Sequence, residues 1–235
     1  MPPLAPTDHV FVLSGAGLSK GSGIPTFRDA GGLWEGLDPM HVATPEAWQA
    51  DADLVRRFYD ARRHNVERCA PNPGHHALAR LQQTLGPDRV TLVTQNIDGL
   101  LSIAGAPDVI EMHGSLRWLR CEHDEAHPQV LIRGTQDPEG RCAECPGRLR
   151  PAIVWFGEIP LHMDRIEAAL QRADWFVSVG TSGIVYPAAG LVRFARHVGA
   201  RTIEVNPEPT GGGFDQVIAA PSEQALPSLV EAWLG

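Results

Sequence analysis

Residues 9–34 read HVFVLSGAGLSKGSGIPTFRDAGGLW, and this stretch decides the fold. Val10, Phe11, Val12 and Leu13 form a short apolar run of the kind that makes a strand buried on both faces. Gly15-Ala16-Gly17 follows at once, as glycines do where a strand turns into a helix beneath a pyrophosphate. The third glycine of GxGxxG belongs at position 20, which is Lys20. Gly21, Gly23 and Pro25 come instead, and then Phe27-Arg28. The loop either holds a dinucleotide or helps to break one.

Four more short, β-branched or aromatic runs read as core strands: Val90–Thr94, residues 109–112, Trp175–Val179 and residues 202–205. Helical patterns lie between several of them. In GHHALARLQQTLG, Ala77, Leu78, Leu81 and Leu85 share one side before Gly86 ends the run. Strands alternating with helices imply an α/β fold, a Rossmann-like, mainly parallel sheet covered by helices on both faces. Two stretches interrupt the alternation. Residues 40–70 read as a helical insertion, and residues 121–148 are polar, cysteine-bearing and dotted with Gly and Pro. The expected division is a Rossmann-like domain of residues 1–38, 71–120 and 150–235, with a small domain of residues 39–70 and 121–149.

In an open parallel sheet, ligands sit at the carboxyl ends of the strands. There the sequence places GAGLS, then Gln95-Asn96-Ile97-Asp98, His113-Gly114, Gly180-Thr181-Ser182 and Asn206-Pro207-Glu208. Glycines and hydroxyls suit phosphates, and Asn and Glu suit ribose hydroxyls. A His/Asp/Asn group suits reaction rather than storage. Each turn alone has a plain structural reading: a tight turn, a satisfied histidine, a helix cap at Asn96 or Asp98. Their convergence on one crevice favours chemistry. His41, His64, His75 and His76 lack such a context and read as surface or helix residues.

Composition narrows the partners. The 235 residues suffice for a full core, and a net charge of −8 with no basic run argues against nucleic acid. No run approaches the ~20 apolar residues of a membrane span. The opening MPPLAPTDHV has neither a positive n-region nor an apolar h-region, and only four cysteines occur, so a cytoplasmic location is expected.

The segments GAGLSKGSGIPTFRDAGGLW, TQNIDGL, MHG, GTS and VNPEP occur in the order and spacing of sirtuins, the NAD-dependent protein-lysine deacylases, and the chain resembles that family over nearly its whole length. The resemblance implies that NAD is the co-substrate and acylated-lysine proteins are the partners. Ala16, Ile24, Phe27, Asn96, Ile97 and Asp98 would line the nicotinamide pocket, with Asp98 holding the carboxamide and Phe27 shielding the ribose face. Gly15, Gly17, Ser19, Arg28 and Gln95 would lie near phosphate and ribose. Gly180, Thr181 and Ser182 would support the adenosine half, Asn206, Pro207 and Glu208 its ribose, and Ser222 the adenine.

Asn96, Asp98 and His113 would form the catalytic set. The acyl-lysine carbonyl oxygen attacks the ribose as nicotinamide leaves, and His113 is the implied general base for a ribose hydroxyl. Imidazole, with an ordinary pKa near 6.5, suits that task. Val154, Trp155, Phe156, Gly157 and Glu158 would pair with the substrate backbone as an added strand; without the resemblance they read as a plain apolar strand. The opening loop would thus do both, cradling phosphate with its front half and forming the leaving-group pocket with its back half.

Within DLVRRFYDARRHNVE, Tyr59 and Arg62 are helical i,i+3 neighbours, a hydroxyl beside a planar fork of donors that suits a carboxylate. Spacing alone favours a solvated arginine. With Ala43 upstream in HVATPEAW, the pair resembles the sirtuin branch that removes succinyl, malonyl or glutaryl groups, which implies desuccinylase and demalonylase activity alongside deacetylation. Alternatives are an enzyme that is mainly a deacetylase, an NAD-responsive binding module, and a mono-ADP-ribosyltransferase.

Cys142 and Cys145 form one CxxC. The family pattern implies a second, completing a structural zinc site, but here Cys121 is followed three positions later by Asp124. Cys121, Cys142 and Cys145 are the expected ligands, with the fourth open among Asp124, His123 and His127. Cys69 stands alone as a thiol.

Overall fold

The apolar run at the start of the chain becomes β1 (Val10–Ser14), buried at every residue. The computed structural model describes residues 3–26, 37–183 and 188–235. Two 3-10 turns follow β1, at Ala16–Leu18 and Lys20–Ser22. The insertion forms α1 (Pro45–Ala50) and α2 (Ala52–Val66), and α3 (Pro73–Leu85) leads into β2 (Val90–Thr94). A single turn, α4 (Leu100–Ile103), precedes β3 (Val109–Glu111), β4 (Gly114–Cys121), β5 (Val130–Leu131) and β6 (Leu149–Ile153). The chain closes with α5 (Met163–Leu170), β7 (Trp175–Val179), α6 (Ala188–His197), β8 (Arg201–Val205), β9 (Gln216–Ile218) and α7 (Ser222–Leu234).

One sheet has the order β3-β2-β1-β7-β8-β9. Every neighbouring pair in it is parallel, the Rossmann-like arrangement read from the sequence. Alternate residues of β1 serve opposite faces. Val10 and Val12 pack with Leu78 and Leu81 of α3 and Leu226 and Leu229 of α7. Phe11 and Leu13 pack with Ile166 and Leu170 of α5 and Leu191 and Ala195 of α6. Each such buried side chain contributes about 1.5–3 kcal/mol, so covering both faces is what holds the sheet. The third strand stops a residue early, at Glu111, and the fifth begins a residue early, at Arg201. The sixth, β9, was not expected from the sequence: three residues with two exposed carry no legible alternation.

Helix ends follow their local chemistry. The Asp51 side chain accepts the Leu54 N–H at the start of α2, and Arg63 and His64 occupy its last turn. Asn72 caps α3 with Pro73 in the first turn, and the His75 side chain completes a capping box.

A second sheet, β5-β4-β6, is antiparallel and begins directly after His113. Gly114 makes the crossover possible. Its φ is +79°, and a Cβ there would collide with the Ala152 carbonyl of β6. The reading of residues 154–158 as a plain strand is corrected: β6 ends at Ile153, and the Trp155 N–H donates to Glu158 Oε2 at 2.8 Å, closing a turn instead.

Candidate functional site

The loops at the carboxyl ends of the strands are stitched to one another by the side chains singled out above. Gln95 Nε2 donates to Thr181 Oγ1 at 3.1 Å, Asn96 Nδ2 to the Gly15 carbonyl at 3.0 Å, and Asn206 Nδ2 to the Thr181 carbonyl at 3.0 Å. Ser222 Oγ donates to the Gly17 carbonyl at 3.2 Å. Gly17 N–H donates to the Gly180 carbonyl, and a Cβ on Gly17 would lie 2.6 Å from Gly180 Cα. These glycines are therefore demanded by the approach of two loops. Pro207 and Glu208 lie on the exposed side of the Asn206 turn. Ala16 and Ser182 are half-buried, and Ile24 is buried. Phe27 and Arg28 lie outside the described residues.

Ser19, expected near phosphate, is fully buried and makes three polar contacts beneath the site. Its Oγ donates to Asp98 Oδ2 at 2.7 Å, receives Asn96 Nδ2 at 3.1 Å, and lies 3.2 Å from His75 Nε2. The Asn72 N–H faces His75 Nδ1 at 3.2 Å. A backbone N–H only donates, so Nδ1 accepts and Nε2 carries the proton toward Ser19. Burial pushes the His75 pKa down to about 4, helped by neighbouring His76, so the ring is neutral. Burial also raises the Asp98 carboxyl, although the Leu100 N–H and Ser19 hydroxyl partly oppose it.

His75 is a helix residue, as the sequence reads, but its buried contact with Ser19 is one the sequence reading missed. The signal was Asn72 three positions ahead of it, at capping-box spacing.

His113 is half-buried at the end of β3. Its Nδ1 lies 3.0 Å from the Gln95 carbonyl, which can only accept, so Nδ1 carries the hydrogen and Nε2 keeps a lone pair. Burial lowers its pKa, opposed by the bond to that carbonyl. The imidazole is thus held in the tautomer that a general base needs.

The helical insertion contributes a second group of side chains. Ala43, Trp48, Phe58, Tyr59 and Trp155 form one buried cluster, with Ile97 packed against it. Arg62 is 8 % exposed, not the solvated charge that spacing favours. Its Nη1 donates to the Phe58 carbonyl at 3.1 Å, and its guanidinium lies 3.2 Å over the Phe58 ring. The Val154 N–H donates to the His113 carbonyl and the Phe156 N–H to the Ala43 carbonyl, each at 2.9 Å. The turn at 154–158 therefore bridges the strand-end chemistry to the insertion. Phe156 and Gly157 are exposed. Glu158 receives Nη1 and Nη2 of Arg150 and Nη2 of Arg120, and these arginines hold its carboxyl below the usual range against the effect of burial.

Away from this crevice, the ligand atoms of Cys121, His127, Cys142 and Cys145 lie within 4.8 Å of one another. Cys121 Sγ and Cys145 Sγ are 3.5 Å apart, and Cys142 Sγ is 3.3 Å from His127 Nδ1. A zinc tetrahedron with bonds of about 2.3 Å to sulfur has edges of about 3.8 Å, so this Cys₃His set fits the ion. Asp124 sits 3.7 Å from the far nitrogen of His127, a carboxylate behind the imidazole rather than a member of the cluster. His123 Nδ1 lies 4.0 Å from Cys145 Sγ and its side chain is mostly exposed.

This arrangement has close counterparts. The Sir2 family model matches residues 15–187. NAD-dependent protein deacylases of Escherichia coli (strain K12) and Caulobacter vibrioides are 49% and 48% identical over 233 and 232 residues, covering 96% of this chain and 82% and 96% of their own. A solved Sir2 homolog–NAD complex matches with TM-score 0.86 at 35% identity, covering 95% of this chain and 88% of that one. A Sir2 complex with the inhibitor EX-527, 2′-O-acetyl-ADP-ribose and deacetylated p53 peptide matches with TM-score 0.79 at 26% identity, covering 95% and 93%. A family model spanning more than half the sequence, on a parallel sheet whose strand ends carry the same motifs, places this chain in the Sir2 family, the sirtuins.

Proposed function

We propose that this chain is an NAD-dependent protein-lysine deacylase that removes succinyl and malonyl as well as acetyl groups. The observation that carries the acidic-acyl preference is the burial of Tyr59 in one cluster with Ala43 and Trp155, and of Arg62 against the Phe58 ring of that cluster. A buried guanidinium beside a phenol and a small residue suits a chain ending in a carboxylate.

NAD supplies a ribose carbon from which nicotinamide can depart. Asp98, fixed by Ser19 and the Leu100 N–H, lines the leaving-group end, and Asn96 ties that end to the Gly15 loop. His113 takes up a hydroxyl proton at Nε2. Arg62 and Tyr59 hold the acyl terminus, and the 154–158 turn presents backbone to the peptide. Cys121, His127, Cys142 and Cys145 would hold a zinc ion, which would brace β4 and the loop before β6. The partners are acylated-lysine proteins, with no nucleic acid and no membrane. Among the described residues no helix is long and apolar enough to cross one. The location is cytoplasmic, where the four cysteines stay reduced.

The test is mass-spectrometric turnover of matched succinyl-lysine and acetyl-lysine peptides with NAD, for wild type and Arg62→Met. A succinyl-to-acetyl ratio that collapses in Arg62→Met supports the reading. An unchanged ratio sinks the acyl preference, and absence of NAD-dependent turnover of both peptides sinks the enzyme reading.

A further inference from the structure

A phenol has one hydrogen to donate and lone pairs to accept, and its torsion decides which of these faces a ligand. At Tyr59 that choice is already made. The Trp155 indole N–H donates to the Tyr59 oxygen at 3.0 Å. An indole nitrogen can only donate, so the tyrosine must accept there and turn its own hydrogen elsewhere. Both side chains are buried, and among the described residues no acceptor receives that hydrogen. Burial raises the phenol above its ordinary range, so the hydrogen stays on the oxygen.

Trp155 is held in turn by its own partners. The Arg150 guanidinium lies 3.3 Å over its ring and is anchored to both Glu158 oxygens and to the Ile153 carbonyl. Trp48 packs at 6.0 Å between ring centroids, and Tyr59 itself at 6.4 Å. The indole is thus packed on by an anchored guanidinium and by two aromatic rings.

We propose that Trp155 is a specificity-determining positioning residue: by occupying the Tyr59 lone pair, its N–H turns the Tyr59 O–H into the acyl pocket as a donor for a carboxylate-ended acyl group. The inference rests on the acyl-pocket reading of Tyr59 and Arg62 and adds a reason for a tryptophan at this position. A phenylalanine would fill much of the same space but leave the hydroxyl free to rotate.

The experiment is a double-mutant cycle on kcat/KM for succinyl- and acetyl-lysine peptides, using Trp155→Phe, Tyr59→Phe and the double variant, with Arg62→Met in parallel. Trp155→Phe is expected to lower the succinyl-to-acetyl ratio about tenfold, the size of one hydrogen bond to a charged group, chiefly through the succinyl KM. In the Tyr59→Phe background, the same substitution should move the ratio by less than about twofold, because the hydroxyl it acts on is gone. Should Trp155→Phe fold poorly, 3-benzothienylalanine at position 155, with the ring size kept and the N–H removed, makes the same comparison. A wild-type ratio in Trp155→Phe alongside a lowered ratio in Tyr59→Phe overturns the inference, as do effects that simply multiply in the double variant. If Tyr59→Phe and Arg62→Met both leave the ratio intact, the acyl-pocket reading has failed and the inference falls with it.

Discussion

Ser19 Oγ donates to Asp98 Oδ2 at 2.7 Å, a contact between two buried side chains that joins the loop after β1 to the loop after β2. The Ser19 hydroxyl is saturated: it gives its hydrogen to Asp98 and faces donors on Asn96 and His75. Two loops from neighbouring strands are thereby tied together, with the Asp98 carboxyl buried at a cost in desolvation.

That cost makes a prediction about Asp98. Its folded-state pKa is raised, so the ionised form is disfavoured by folding at neutral pH. Asp98→Asn should abolish most turnover while raising the urea midpoint at pH 7. A drop in stability of more than about 1 kcal/mol would mean that the hydrogen bonds to the carboxylate outweigh its burial.

His75 predicts a dependence of stability on pH. Its folded pKa is about 4 against 6.5 unperturbed, so the unfolded chain binds the extra proton between those values. This contribution is full above pH 6.5 and is lost as pH falls toward 4, on the order of 3 kcal/mol at about 1.4 per pKa unit. Urea titrations from pH 4 to 7 should show stability rising with pH, and the slope should flatten in His75→Gln. An equal slope in the variant would assign the effect to other groups.

For His113, the depressed pKa places the acid limb of kcat/KM below 6.5, since only the neutral ring accepts a proton. A limb at or above 6.5 would mean that the bond to the Gln95 carbonyl outweighs burial. His113→Ala should lower kcat by about 10²–10⁴, measured as formation of deacylated peptide.

The Cys₃His cluster predicts that purified protein carries about one zinc per chain and that His127→Ala loses most of it. Asp124→Ala should retain the ion with an affinity about tenfold lower, as for a carboxylate behind a ligand. Elemental analysis with thermal melts reads both. Full zinc retention in His127→Ala would move the fourth ligand elsewhere.

Gly17→Ala should destabilise the fold by about 1–3 kcal/mol without bound ligand, because its methyl would meet the Gly180 backbone at 2.6 Å. A chemical denaturation curve matching wild type would show that the two loops separate readily.

Much of this protein was legible without coordinates. The β1 run, the glycines after it and the chemistry after each strand are local patterns. Alternating helices and strands force a parallel sheet whose carboxyl ends converge. By itself the sequence determined the fold class and the strand-end residues Asn96, Asp98, His113 and Asn206. The tertiary structure alone decided that His75 meets Ser19, that Arg62 is buried, that His127 joins the cysteines, and that the Trp155 N–H reaches the Tyr59 hydroxyl. The physical reason is distance along the chain. Ser19 and His75 are 56 residues apart and Tyr59 and Trp155 are 96 apart, so each contact exists only after whole elements have packed. Periodicity reports which face a side chain takes, whereas the partner it meets is chosen by the assembly of the other elements.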